Sequence, residues 1–281
     1  MIVWIASYPK SGNTWVRSLL SSYMYSDDGI FNFNLLNKIK QFPNKEFFKS
    51  FLKSFSDIKE VSNFWIAAQN KINLTNDTVF LKTHSALCTL EKNPFTNKAN
   101  TQAIIYVVRD PRNLITSLSH HYSKSAEESF SFMSNKNMMI MNEEWGGKDF
   151  GIATVLGDWA EHYKSWKLSN IAPIIIIRYE DLLNDAINTF THLISFLCKH
   201  TNLKFNKEKI DKVVKSCSFD VMVEKEKEEG FLESINKNNK KINFFYLGKK
   251  NKWESLLNPK IENKIRQLFS KEMKQLGYIN E

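Results

Sequence analysis

The sequence is poor in cysteine, and its few cysteines are not spaced as a disulfide framework or a zinc ribbon. Among 281 residues there are three, Cys88, Cys198 and Cys217, an odd number without a Cys-x-x-Cys pair. Unpaired thiols are typical of proteins kept in a reducing compartment. We therefore expect a cytoplasmic protein whose fold needs no disulfide.

Long apolar runs are missing as well. No stretch of the sequence approaches the roughly 18 apolar residues that a membrane-spanning helix requires. The N-terminal residues also lack the basic region, apolar run and cleavage site of a secretory signal. These absences predict a soluble chain without stable membrane insertion.

Acidic residues are the minority charge, with 30 Asp and Glu against 39 Lys and Arg and a formal net charge of +9. Such a charge attracts anions in general, so nucleic acid, an anionic membrane and a phosphorylated small molecule are all compatible with it. The hydrophobic fraction of 42% and the 21 phenylalanines are typical of an ordered globular protein. We expect a single domain over residues 1–281.

Four short runs rich in Ile, Val and Phe predict the strands of a sheet. They cover residues 2–8, 79–84, 103–110 and 173–180. Continuous apolar runs of this length are typical of parallel strands that helices cover on both faces. Helical patterns lie between the runs, so the sequence predicts a three-layer α/β fold with a central parallel sheet.

The helix after the last strand has the clearest pattern. Asp181 is placed to cap its start. Apolar residues at helical spacing predict its buried face, and they are Leu183, Ile187, Phe190, Ile194 and Leu197.

Three segments fall outside this alternation. Residues 28–75 and 125–150 show no clear strand period and are expected to be insertions on the substrate side of the sheet. Their Phe, Trp and Met residues are compatible with an apolar acceptor pocket and equally with the packing of extra helices. Residues 224–245 are polar enough to be mobile until a ligand binds.

Reactive side chains follow the predicted strands. Lys82 and His84 close the second run, Arg109 closes the third, and Tyr179 closes the fourth. Since ligands of open parallel sheets bind beyond the carboxyl ends of the strands, these side chains are expected to meet at one edge. They are mostly cationic or hydrogen-bonding groups, which predicts a site for an anionic ligand.

The first run leads into "SYPKSGNTW", residues 7–15, which has the features of a phosphate-binding turn. Gly12 lets the backbone approach a ligand closely, and Lys10 adds a full positive charge. The helix that follows presents unpaired N–H groups and the positive end of its dipole. A phosphate or a related group is therefore expected here.

The turn differs from the Walker A pattern G-x-x-x-x-G-K-S/T. Ser7 stands where the first glycine belongs and Asn13 stands where the lysine belongs, whereas Thr14 is retained. A Walker hydroxyl usually holds Mg²⁺ together with an acidic residue from another strand, and Asp110 is placed to supply one. A Mg²⁺-dependent P-loop kinase is thus one interpretation, although Asn13 argues against it.

Five blocks of the sequence resemble the cytosolic-type sulfotransferases. "SYPKSGNTWVRSLL" is similar to the 5′-phosphosulfate loop of that family, and "FLKTH" to its strand that ends in Lys-Thr-His. "YVVRDPRNLITSLSHHY" is similar to its 3′-phosphate segment, in which an Arg precedes a Ser by eight positions, here Arg109 and Ser117. "RYEDLL" and "CSFDVM" match its tyrosine-bearing strand end and an adenine-contacting segment. The blocks occur in family order along nearly the whole chain.

One further block departs from the family pattern Arg-Lys-Gly-x-x-Gly-Asp-Trp and reads "YLGKKNKW". Gly248 is kept, but Tyr246 and Leu247 replace the Arg and Lys that usually hold the 3′-phosphate. Lys249 and Lys250, beyond the glycine, are candidates to replace them.

The resemblance implies a P-loop NTPase-like fold and a co-substrate, 3′-phosphoadenosine 5′-phosphosulfate (PAPS), with adenosine 3′,5′-bisphosphate as product and no metal. It implies that Lys10 acts on the leaving oxygen, Lys82 on the transferring sulfonate and His84 as general base. The residues implied to bind PAPS are Lys10, Ser11, Gly12, Asn13, Thr14, Trp15, Arg109, Ser117, Tyr179, Phe219, Gly248 and Lys249.

Three functions are compared at this point: a PAPS-dependent sulfotransferase, a Mg²⁺-dependent kinase, and a non-catalytic basic module for nucleic acid or another anionic polymer. The basic module gives no reason for a Lys-Thr-His strand end. We therefore expect sulfonate transfer to a hydroxyl or amine of a small-molecule, glycan or lipid acceptor, without a nucleic-acid partner. The sequence defines neither the acceptor nor an oligomeric state.

Overall fold

The computed structural model describes residues 1–140, 152–231, 233–237 and 240–280. The strands, in chain order, are β1 (Ile2–Ser7), β2 (Lys40–Gln41), β3 (Val79–Thr83), β4 (Thr89–Leu90), β5 (Asn93–Pro94), β6 (Thr101–Val108), β7 (Met139–Ile140), β8 (Thr154–Val155), β9 (Ile174–Arg178), β10 (Ile235–Lys237) and β11 (Lys240–Ile242).

The α-helices, in chain order, are α1 (Asn13–Tyr25), α2 (Lys45–Phe48), α3 (Ile58–Ser62), α4 (Trp65–Ile72), α5 (Pro111–Tyr122), α6 (Ala126–Ser134), α7 (Trp159–Lys167), α8 (Tyr179–Asn184), α9 (Ala186–His200), α10 (Lys207–Ser216), α11 (Phe219–Glu229), α12 (Trp253–Leu256) and α13 (Pro259–Gln275). Short 3₁₀ turns cover Phe33–Lys38, Asn73–Thr75 and Gly248–Lys250.

Five strands form the central sheet in the order β2-β3-β1-β6-β9. Each neighbouring pair is parallel. The α/β prediction and its four strands are confirmed, because β1, β3, β6 and β9 fall on the four predicted runs. The fifth strand, β2, lies in the segment 28–75, and its two residues are too short to show a period in the sequence.

The sheet is covered on both faces, and β1 shows why. Its residues alternate between the two hydrophobic clusters, with Trp4 in the first and Val3 and Ile5 in the second. Side chains of α4, α5, α6, α7 and α13 complete the first cluster, and side chains of α1, α9 and α10 complete the second. A strand buried on both sides must be apolar at every position, which is the continuous run seen in the sequence.

The prediction that Asp181 caps the helix after the last strand is wrong. Asp185 has that role, since its side chain accepts a hydrogen bond from the backbone N–H of Asn188 at 3.1 Å. The backbone of Asp185 is non-helical, and this ends α8 and starts α9. Asp181 instead pairs with Arg178 at 3.2 Å.

The aromatic residues of the first insertion pack inside the protein. Phe31, Phe48 and Trp65 have no exposed surface, and none of them lines the large cavity described below. The packing interpretation is therefore favoured for these residues. Trp145 of the second insertion lies outside the described residues.

Within the part of the chain that the structure describes, no helix combines the length and the apolarity needed to cross a membrane.

Two alanine substitutions on α9 test which of its faces belongs to the core. Leu193 is 1% exposed, whereas Ile187, one of the predicted core residues, is 43% exposed. Leu193→Ala should lower the free energy of unfolding by about 2–5 kcal/mol, because it leaves a cavity in a packed core. Ile187→Ala should cost less than about 1 kcal/mol, as expected for an exposed position. Equal losses in urea unfolding would contradict the orientation of α9.

Candidate active site

The loop between β1 and α1 is fixed by its own side chains and by Tyr179. Gly12 has φ = 104°, a left-handed conformation, and a Cβ atom there would lie 2.6 Å from the Tyr179 ring. The Asn13 side chain donates hydrogen bonds to the Ile5 carbonyl at 3.0 Å and to Ser7 Oγ at 3.1 Å. Only glycine fits position 12, and the hydrogen bonds of Asn13 tie the loop to β1.

Three cationic side chains converge beyond the carboxyl ends of β1, β3 and β6. Lys10, Lys82 and Arg109 line one cavity of about 310 Å³ together with His84. Lys10 Nζ and Arg109 Nε are buried and have no hydrogen-bond partner among the residues that the structure describes. Such buried cationic groups favour an anion in the cavity, since an unpaired buried charge costs free energy.

The environment weakens the ionisation of both lysines. Burial lowers the pKa of Lys10 to about 7, and the charges of Arg109 and Lys82 act in the same direction. Burial also lowers the pKa of Lys82 to about 8. The carboxylate of Glu233 opposes both shifts. Any further anion in the cavity would likewise stabilise the charged lysines.

His84 is held as a neutral imidazole with one defined tautomer. Its Nδ1 lies 2.8 Å from the Ser7 carbonyl oxygen, which can only accept, so Nδ1 donates. The proton therefore sits on Nδ1 and leaves the lone pair on Nε2. Burial lowers the pKa of His84 well below its ordinary value, and the charge of Lys82 adds to this effect. A neutral imidazole with a free Nε2 is able to accept a proton.

A second histidine, which is buried, forms a hydrogen bond with the backbone of His84. His162 lies 3.0 Å from the His84 carbonyl oxygen through Nε2 and 2.9 Å from the Tyr106 hydroxyl through Nδ1. Its side chain has no exposed surface, and burial lowers its pKa to about 4. Through this hydrogen bond His162 holds the backbone of His84, which directly follows β3, in place.

Arg109 is bound at several points. Its guanidinium donates to Ser117 Oγ at 2.9 Å and to the Lys10 carbonyl at 3.3 Å, and it lies 4.1 Å from the centre of the Tyr179 ring. Asn251 donates to the same Ser117 Oγ at 3.1 Å. Arg109, directly after β6, and Ser117, on α5, are therefore in contact, as the Arg-x₇-Ser spacing predicts.

Aromatic side chains form another part of the cavity wall. Trp15 packs edge-on against Tyr179, with 5.6 Å between ring centres, and its indole N–H donates to the Cys217 carbonyl at 2.9 Å. Phe219 packs on Gly248, where a Cβ atom would lie 2.6 Å from the ring. Flat apolar surfaces of this kind suit a planar base.

Most residues predicted for the site line this one cavity. They are Lys10, Gly12, Asn13, Thr14, Trp15, Lys82, His84, Arg109, Ser117, Tyr179, Phe219 and Gly248. Ser11 and Lys249 do not line it: Ser11 is fully buried, and Lys249 is exposed in the turn beyond Gly248. The individual roles of all these residues stay predictions.

The most consequential residue missed in the sequence is Glu233. Its carboxylate accepts hydrogen bonds from Thr14 Oγ1 and Arg17 Nη1, both at 2.7 Å, and lies 3.5 Å from Lys82 Nζ. Burial opposes its ionisation, but Lys82 and Arg17 outweigh burial and hold the pKa of Glu233 well below its ordinary value. Glu233 lies in a polar stretch without periodicity, so no sequence signal marks it.

Two histidines near the end of α5, His120 and His121, also line the cavity. His120 stacks on Tyr246 with 3.6 Å between ring centres. His121 packs edge-on against Phe244 at 5.7 Å, and the Phe244 ring also lies 3.4 Å from Lys10 Nζ. Both histidines contact residues far away in the sequence, Tyr246 and Phe244. The periodicity of α5 alone does not reveal such contacts.

Asp110, the metal ligand that a kinase would need, is engaged elsewhere. Its carboxylate caps α5 and pairs with Arg112, with Oδ2 2.6 Å from the guanidinium. It does not line the cavity. In the described ranges of the chain no group of three or more His, Cys, Asp or Glu side chains is placed to hold a metal ion.

The geometry agrees with a comparison against protein families. The model of the sulfotransferase domain matches residues 2–277. The chain belongs to the sulfotransferase domain family. The predicted resemblance is therefore confirmed for the chain as a whole.

Curated relatives from this family are distant. Luciferin sulfotransferase of Photinus pyralis is 27% identical over 78% of this chain and 55% of its own length. Sulfotransferase 1B1 of Mus musculus is 25% identical over 78% of this chain and 64% of its own length. The alignments thus span less than two thirds of these two sulfotransferases.

Solved structures of sulfotransferases share the fold. Retinol dehydratase, in complex with androsterone and the inactive cofactor PAP, is 16% identical, with a TM-score of 0.61 over 97% of this chain and 80% of that one. Mouse sulfotransferase SULT7A1 complexed with PAP is 21% identical, with a TM-score of 0.57 over 97% of this chain and 84% of that one. At such low identity the sulfotransferase likeness is one of fold.

The protonation of His84 is open to direct measurement by ¹⁵N NMR of the imidazole rings. We expect a proton on Nδ1 at neutral pH and a titration midpoint well below 6.5, because burial and Lys82 both disfavour the imidazolium form. His192, exposed on α9, provides a reference resonance that is lost in His192→Ala. Protonation of His84 near pH 6.5 would contradict the assigned environment.

Proposed function

We propose that the protein transfers a sulfonate group from PAPS to a hydroxyl or amine of a small-molecule, glycan or lipid acceptor. The observation that carries this proposal is the convergence of Lys10, Lys82 and Arg109 with the neutral His84 in one cavity. An anionic donor matches the three cations, and a proton acceptor beside them matches a nucleophile that must lose a proton.

The residues present fit PAPS as a substrate. Lys10 Nζ and Arg109 Nε, which have no hydrogen-bond partner within the described ranges, are suited to its phosphate groups. Glycine at position 12 lets the Tyr179 ring, which also lines the cavity, pack directly against the loop, because a Cβ atom there would lie 2.6 Å from that ring. At the aromatic end, Trp15 and Phe219 offer ring faces and edges for adenine.

The chemistry is an in-line displacement at sulfur. The acceptor oxygen or nitrogen forms a bond to sulfur while the bond from sulfur to the bridging oxygen of the nucleotide breaks. In this proposal His84 Nε2 takes the acceptor's proton, Lys82 faces the sulfonate, and Lys10 stabilises charge on the leaving oxygen. Positioning and charge stabilisation then supply most of the acceleration.

The 3′-phosphate is proposed to lie against Arg109 and Ser117, 2.9 Å apart. The replacements Tyr246 and Leu247 both reach the cavity wall but add no cation. Lys249 is exposed and lies outside the cavity wall. For Lys249 to replace the family's Arg and Lys at the 3′-phosphate, the turn that carries it would have to move.

Small hydroxylated acceptors have support from related proteins. One relative is a 3-alpha-hydroxysteroid sulfotransferase of Cavia porcellus, 24% identical over 78% of this chain, and retinol dehydratase has been solved with retinol and PAP. Part of the cavity here is apolar, with Ile140, Ile152 and Phe244 in its wall. We therefore favour a small apolar alcohol or phenol over a glycan.

Ligand binding separates this proposal from the kinase alternative. Adenosine 3′,5′-bisphosphate without metal should raise the melting temperature, since a ligand at about 100 times its Kd stabilises the native state by about 2.7 kcal/mol. ATP with Mg²⁺ should have little effect. Arg109→Ala should weaken bisphosphate binding, and Arg266→Ala, on the remote helix α13, should not. A response to Mg²⁺-ATP alone would reverse the assignment.

Catalysis is tested with His84→Ala. Turnover in labelled sulfonate transfer to a panel of phenols, alcohols and amines should fall by about 10²- to 10⁴-fold, the usual contribution of a general base. The Kd of the bisphosphate should change by less than about threefold, because a base contributes to the transition state and not to nucleotide binding. His192→Ala is the matched control and should keep full activity. Near-normal turnover of His84→Ala would remove His84 from the base role.

A further inference from the structure

We propose that Glu233 is an internal ligand of the anion site, which competes with the co-substrate and keeps the free protein in an autoinhibited state. The identity of the competing substrate rests on the proposed function. The competition itself rests on contacts that this chain makes with its own phosphate-binding loop.

The Glu233 carboxylate has the contacts expected of a bound phosphate or sulfonate. One oxygen accepts from Thr14 Oγ1 at 2.7 Å, in the first turn of α1. The other accepts from Arg17 at 2.7 Å and lies 3.5 Å from Lys82 Nζ. Two adjacent anions could not share these donors, because their charges would repel each other at short range. Occupation of this position by substrate therefore requires Glu233 to leave.

The exposure of the partners indicates which of them is able to move. The side chains of Arg17 and Lys82 are 7% and 8% exposed, whereas that of Glu233 is 23% exposed. The two cations lie on α1 and β3, elements packed into the core. Glu233 lies in the connection between α11 and β10, outside any helix or strand. Departure of Glu233 is thus the simplest way to free the site.

A second carboxylate holds the base of this connection. Glu226 on α11 is 1% exposed. It accepts hydrogen bonds from the Phe244 N–H at 2.6 Å and the Phe245 N–H at 3.0 Å, and another from the Ser234 hydroxyl. Glu226 therefore anchors the chain on both sides of β10 and β11, and Glu233 directly precedes the anchored Ser234 in the connection from α11.

The energetic consequence is a lower apparent affinity for the co-substrate. When only a fraction of the molecules has the site open, the observed Kd equals the intrinsic Kd divided by that fraction. Removing the negative charge of Glu233 should raise the open fraction. It should also leave Arg17 and Lys82 without a buried counter-charge, so the ligand-free protein should become less stable.

The test compares wild type with Glu233→Gln, which keeps the side-chain shape, and with Glu233→Ala. Titration calorimetry at fixed ionic strength uses two probes, adenosine 3′,5′-bisphosphate and inorganic sulfate. Both probes should bind about tenfold or more tightly to the Glu233 variants, because the competing charge is gone. The melting temperature without ligand should fall in the same variants and should rise more steeply on addition of sulfate than in wild type.

Glu229→Gln is the matched control, because Glu229 is an exposed acid on α11 that pairs only with Lys225 at 3.4 Å among the contacts of the described residues. It should bind both probes within about twofold of wild type, as surface ion pairs contribute little. Unchanged or weaker binding of both probes by the Glu233 variants would overturn the competition. If sulfate binds more tightly to them but the bisphosphate binds to no form, the competition stands and the proposed function fails.

Discussion

Three positive side chains are held next to one another in a largely buried cavity, and the properties of the other site residues follow from this constraint. Burial lowers the pKa values of Lys10 and Lys82 and the neighbouring cations act in the same direction, whereas the carboxylate of Glu233 opposes both shifts. Water would normally separate such charges, but the parallel register of β1 with β3 and β6 fixes the strand ends side by side. The sheet therefore maintains a field that favours anions before any ligand arrives.

The cavity is therefore more stable when an anion lies beside its cationic side chains. Glu233 supplies one in the structure, and the proposed co-substrate would supply phosphate and sulfonate. The same field keeps His84 neutral, since Lys82 acts against the imidazolium form. The preference of the cavity for anions and the neutral form of His84 thus have a common electrostatic origin.

Residues 246–253, the block that departs from the family pattern, contribute contacts that distinguish this site from that pattern. Tyr246 stacks on His120, and Asn251 shares Ser117 with Arg109. Aromatic packing by Tyr246 therefore stands where the family pattern has an Arg, and the hydrogen bonds of Asn251 stand where it has its second glycine. For the proposed co-substrate, the 3′-phosphate end would depend on Arg109 more heavily than in relatives that keep the family pattern.

Much of the fold and the main residues of the cavity could be predicted because they depend on local sequence. Continuous apolar runs mark strands buried on both faces, and a cation after each run marks the carboxyl edge of the sheet. Lys10, Lys82, His84 and Arg109 were found in this way, and the structure brings them into one cavity. The start of α9 was misplaced, because Asp181 and Asp185 are equally good capping residues and only the backbone decides between them.

The sequence by itself determined which strand end carries which charge, and that a glycine and a lysine stand in the turn before the first helix. Only the tertiary structure decided what neutralises those charges. Glu233 reaches Thr14 across more than 200 residues of sequence, and His121 enters the wall because Phe244 packs on it. Such contacts depend on where a long polar connection folds back, and neither periodicity nor residue spacing carries that information.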